Sequence, residues 1–135
     1  MKRWLGLVPS LVVASLGPGL AQDQRVYESA QSVSGKQVKV GVFGTANTKV
    51  CRSDPAPQIR VVAPPQHGIL VVEEGTLTTD RYPNCPKLKV AVQILLYQSK
   101  PDYVGLDRVA FVVTFQSGAT QARTVAINVI KTSDL

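Results

Sequence analysis

The chain has 135 residues, of which 44% are apolar, and 15 Lys and Arg against 9 Asp and Glu give it a formal charge of +6. That length suits one domain burying roughly two-thirds of its unfolded surface, with no room for a second. With one histidine and two cysteines in all, a site built from several histidines or four thiolates is excluded.

Residues 1–21 form the first unit. Lys2 and Arg3 precede the apolar run "WLGLVPSLVVASLGPGL", and Gly19-Leu20-Ala21 supplies small residues at its end, the pattern of a secretory signal cleaved after Ala21. Pro9, Gly17, Pro18 and Gly19 interrupt the run, which is short for about 30 Å of hydrocarbon. Stable membrane insertion after cleavage is therefore not expected. Removal of Lys2 and Arg3 leaves a charge of +4, spread over Arg25, Lys39, Arg60, Lys87, Arg108 and others without a run. Such scatter reads as a solvated surface and not a nucleic-acid footprint.

Residues 22–36, "QDQRVYESAQSVSGK", offer only Val26, Tyr27 and Val33 to a core and are expected to be a flexible polar leader. From Gln37 the period changes to two. Val38, Val40 and Val42 alternate with polar or small neighbours, as do Ile59/Val61, Ile69/Val71 and Val90/Val92/Ile94/Leu96. Each set predicts a half-buried strand. Val109, Phe111, Val113 and Phe115 predict another, and Val125, Ile127 and Val129 the last. "QSGAT" between them predicts a hairpin turn at Gly118. No helical period follows the signal, and prolines recur at 55, 57, 64, 65, 83, 86 and 101. The pattern predicts an all-β, antiparallel sandwich of about seven strands over residues 37–135.

Export would place Cys51 and Cys85 in an oxidising compartment, where an even count predicts a disulfide. Closing a loop of that length stabilises a fold by about 3 to 4 kcal/mol. Neither a CxxC spacing nor a second pair of ligands supports a metal or redox pair instead.

Two phrases remain. "APPQHGIL" ends two prolines at a glycine just before a strand, and "YQSKPDYVGLDRVAFVV" joins two strands through Pro101 and Gly105, with Asp107 placed to accept backbone N–H groups of the turn. Taken together, Pro65-x-His67-Gly68-x-Leu70, Tyr97, Tyr103-x-Gly105-x-Asp107-x-x-x-Phe111 and the closing "TVAINV" resemble the bacterial cadherin-like, immunoglobulin-like repeats of secreted and envelope proteins, over roughly residues 37–131. The resemblance implies a seven-stranded, non-enzymatic module for adhesion or protein docking, here as one free-standing copy. The calcium-binding Asp-x-Asn-Asp linkers of such repeats do not occur in this chain, so no cofactor is implied.

The reactive residues fit the same expectation. His67 lies between Gln66 and Gly68 and reads as a turn residue, not a general base. Glu73 and Glu74 are adjacent on a strand and should point to opposite faces, so they cannot serve one substrate as a pair. Asp102 and Asp107 are too few for calcium. The aromatic rings are too scattered for a nucleic-acid stacking platform and are not clearly aligned for carbohydrate binding. The expected function is thus an exported, periplasmic or secreted module that binds an envelope or extracellular protein, through end loops around Cys51 and Cys85 or an exposed strand edge. The alternative is a small periplasmic enzyme or an accessory subunit of an exported enzyme.

Overall fold

The computed structural model describes residues 24–135, so the expected signal over 1–21 lies outside the described residues. In chain order the strands are β1 Gln24–Val33, β2 Gln37–Phe43, β3 Ala46–Asn47, β4 Arg52–Ser53, β5 Gln58–Ala63, β6 Gly68–Thr79, β7 Leu88–Ser99, β8 Gly105–Thr114 and β9 Thr120–Ile130. A 3-10 turn follows at Thr132–Asp134. Seven of these strands make an all-β sandwich, one layer ordered β1-β9-β8-β5 and the other β2-β7-β6, while β3 and β4 form a separate hairpin.

The core is made by alternate residues of both layers. Val109, Phe111 and Val113 from β8 and Val125, Ile127 and Val129 from β9 meet Val40, Phe43, Leu95 and Tyr97 from the opposite layer. Phe43 and Phe111 touch edge to face, with ring centroids 5.6 Å apart. Burying aromatic and β-branched side chains this completely is the main source of stability, roughly 1.5 to 3 kcal/mol for each large side chain.

The segment expected as a polar leader is instead β1 for residues 24–33. It pairs in parallel with β9 over its whole length, from Gln24 opposite Gln121 to Val33 opposite Ile130, so one pair departs from the antiparallel expectation. The backbone of β9 bonds the N–H and C=O groups that β1 turns toward it whatever side chains β1 carries, which is why a Gln- and Ser-rich segment is ordered here. Its inward residues include Ser32, buried, and Glu28. Glu28 is neutralised by an ion pair with Arg123, whose guanidinium lies 4.8 Å above the centre of the Phe43 ring. Burial lowers the Arg123 pKa from its ordinary value.

Two expected faces are corrected. A bulge between Lys39 and Gly41 in the pairing of β2 with β7 breaks the Val38/Val40/Val42 series, turning Val42 outward and Phe43 inward. In β6 and β7 the pairing runs from Gly68 opposite Ser99 to Thr79 opposite Leu88 without a shift. Alternation is therefore strict, and the buried Leu95, Tyr97 and Ser99 mark the core side. Val90, Val92, Ile94 and Leu96 do share a face, but it is the outer one. Ile69 is likewise on the outside, 60% exposed, whereas Leu70 packs against the core.

Candidate partner-binding site

Seven residues of the two sequence phrases, from Pro65 to Asp107, converge at one end of the sandwich. Asp107, only 6% exposed, is the inward residue next to Gly105 at the start of β8. Its carboxylate accepts the Tyr97 hydroxyl at 2.6 Å and the N–H groups of Gln66, His67 and Arg108 at 3.0, 3.0 and 2.8 Å. The turn it caps is the β5–β6 connection, some forty residues away, and not the Tyr103–Gly105 turn beside it. Burial opposes ionisation of Asp107, but the Tyr97 hydroxyl and the three backbone donors outweigh it and hold the pKa below the usual carboxylate value. Tyr97, fully buried, is pushed the other way, first by burial and then by the adjacent carboxylate.

The surrounding motif residues fit around this contact. A Cβ at Gly68 would lie 2.4 Å from the Gln98 carbonyl and 2.9 Å from the Ser99 Cα, so β6 reaches β7 only without a side chain there. Gly105 adopts φ 140°, a conformation that side chains resist, with the Tyr103 hydroxyl crossing beside it to donate to the Leu106 carbonyl. His67 stacks on Tyr103, centroids 4.1 Å apart and rings within 6° of parallel. Pro65 is half-buried at the entrance, and Phe111 anchors the core below. The arrangement fixes loops. Among the described residues, no group of three or more His, Cys, Asp or Glu could hold a metal ion.

Cys51 and Cys85 form a disulfide with a Cα–Cα distance of 5.4 Å across 34 positions. It ties the β3–β4 hairpin to the β6–β7 loop, and this loop region lies on the outer face of the β2-β7-β6 sheet. Cys85, Leu88, Val90 and Val92 are buried there in a second apolar cluster, with Ala46 and Ile94 packed on it. Polar contacts fasten the cover. The Ser53 hydroxyl accepts the Ala91 N–H at 2.7 Å, and the Asn84 side-chain amide donates to the Thr48 carbonyl at 2.8 Å. Sequence reasoning missed this second cluster, although the stretch "VAVQILLY", apolar at every position but Gln93, signals a strand buried on both faces.

Beside the hairpin a groove of about 220 Å³ runs to β6, lined by Gly44, Thr45, Leu77, Thr79 and Tyr82 among others. Among the described residues the far side of β6 carries no partner strand, and it is the edge of its sheet along all twelve residues. Ile69 and Leu77 stand exposed on its outer face, and Glu73 and Glu74 occupy its middle, on opposite faces. Among the described residues no helix is long and apolar enough to cross a membrane.

No family model matches the chain, and no curated protein does. Among solved structures, the solution structure of amebosin is 10% identical with a TM-score of 0.42, covering 81% of this chain and 99% of that one. A crystal structure of a 2,6-sialyltransferase from a Vibrionaceae Photobacterium, in a ternary complex with CMP and lactose, is 13% identical with a TM-score of 0.36 over 83% of this chain and 19% of the other. Scores this low carry no argument about activity.

Proposed function

We propose that this chain is an exported, non-catalytic immunoglobulin-like module that binds another protein of the envelope or the extracellular space by accepting a strand on the open edge of β6. The single observation that carries the reading is that edge: twelve residues long, free of proline, and flanked by a disulfide-braced hairpin. Unpaired backbone groups along such an edge are a template for an added strand, with main-chain bonds giving affinity and alternate side chains giving choice. The bracing lowers the ordering cost of any loop the partner touches.

The immunoglobulin-like assignment is supported by the strand order, in which the first strand joins the last and the two layers are linked by repeated crossings between sheets. Export is supported by the disulfide together with the charged-then-apolar pattern of residues 1–21. The non-catalytic reading is supported by His67, whose ring lies flat on Tyr103 and whose backbone N–H donates to Asp107, so that the residue is held in the turn.

Photocrosslinking in the native envelope tests the proposal. A photoreactive residue at Thr76, on β6, should trap one discrete partner, and one at Thr114, on the other sheet, should not. Capture from Thr114 alone, or none from Thr76, removes the edge-binding model.

A further inference from the structure

Three of the cationic residues that are scattered along the sequence are brought onto one face by the fold. The exterior of the β1-β9-β8-β5 sheet is built from cross-strand rows. Arg25, Ala122, Val112 and Arg60 form one row, Tyr27, Thr124, Ala110 and Ala63 the next, and Ser29, Ala126 and Arg108 the third. Three arginines therefore stand on one face, all exposed. None of their guanidinium groups has a hydrogen-bond or ion-pair partner among the described residues. Glu28, which lines the groove of this face together with Tyr27, is already neutralised by Arg123. Between Tyr27 and Arg108 runs a shallow groove of about 630 Å³, floored by Ala110, Thr124 and Ala126, and Tyr27 at its wall is 74% exposed.

We propose that this face is a second binding surface, for an anionic polysaccharide bearing carboxylate or sulfate groups. With strands about 4.8 Å apart and residues rising about 3.3 Å along each, the three arginine Cα atoms lie roughly 14 to 16 Å from one another. That is too wide for one small anion and suits a chain with charges repeated along it. Guanidinium forks match planar or tetrahedral oxyanions bidentately, and an exposed tyrosine beside them offers its face to the C–H side of a sugar ring. The small side chains of the floor let such a chain lie close to the sheet. One ring is too few to stack successive nucleotides.

The surface is separate from the β6 edge, so the two proposals fail independently. Titration of the full chain, with its disulfide intact, against an oligogalacturonate and against a neutral maltooligosaccharide of equal length tests it. Saturable, salt-sensitive binding of the charged oligomer only is expected. Arg108→Ala and the Arg25→Ala/Arg60→Ala pair should each weaken it about tenfold or more, Tyr27→Ala several-fold, and Arg52→Ala on the disulfide hairpin not at all, with melting temperatures unchanged throughout. Absence of saturable binding, equal loss in Arg52→Ala, or tighter binding of duplex DNA or anionic phospholipid vesicles than of the oligogalacturonate overturns the assignment.

Discussion

Four donors converge on the Asp107 carboxylate, and three of them are backbone or side-chain groups from elements distant in sequence. Hydrogen bonds to a buried charge are worth more than neutral ones, and leaving the donors unmet costs their desolvation as well. Asp107→Asn should therefore cost about 2 to 3 kcal/mol in denaturant unfolding. Tyr97→Phe, which keeps the three backbone donors, should cost about 1 to 2 kcal/mol. The pH dependence follows from the same contact. The folded pKa of Asp107 is lowered, so its contribution is present above the ordinary Asp value of about 3.9 and is lost as pH falls below it toward the folded value. The Tyr97 pKa is raised, so its contribution is present below about pH 10 and is lost as pH rises past that. Stability measured at stepped pH should fall on both limbs, and Asp107→Asn should flatten the acid one. An unchanged acid limb in that variant would show that other carboxylates dominate.

Element by element, what the sequence made legible was strand existence and not strand facing. The period-two runs located β2, β5, β6, β7, β8 and β9, but β7 is apolar on both faces, and alternation alone cannot tell which face meets the main core. The answer lies in the β3–β4 hairpin, two short strands with no periodic signal, held in place by the Cys51–Cys85 bond over Val90 and Val92. β1 was illegible for the opposite reason, because its order comes from the backbone of β9 and not from its own apolar content. The motif residues from Pro65 to Phe111 stand out in the sequence by their spacing, whereas the pairing of Asp107 with the distant Gln66 and His67 amides needs the fold. The hairpin carries a prediction of its own. Cys51→Ser/Cys85→Ser should lose about 3 to 4 kcal/mol of stability, as expected for a loop of 34 positions. It should also speed amide exchange at Leu88, Val90 and Val92 more than at Val109 or Ile127. Uniform acceleration across both clusters would mean that the hairpin is not an independent cover.

At the scale of the molecule, the sandwich leaves β5 and β6 as edges on its open side. β5 is short, bulged between Val61 and Ala63 and bounded by Pro57 and Pro64, so it is a poor template. β6 is long and regular, and its safeguard is charge. Antiparallel self-pairing about a two-fold axis normal to the sheet keeps like faces together, so the registers of greatest overlap centre on Glu73 or on Glu74, each setting a carboxylate against its own copy. Glu73→Gln/Glu74→Gln should therefore raise self-association in sedimentation velocity relative to the parent chain; no change would assign the safeguard elsewhere. A foreign strand with a central lysine or arginine would meet attraction at the same place. The parallel pairing of β1 with β9 also sets a timetable. In a polypeptide that emerges amino end first, the opening strand finds its neighbour only when the closing one has arrived. Until then the N–H and C=O groups that β1 turns toward β9 are met by water alone.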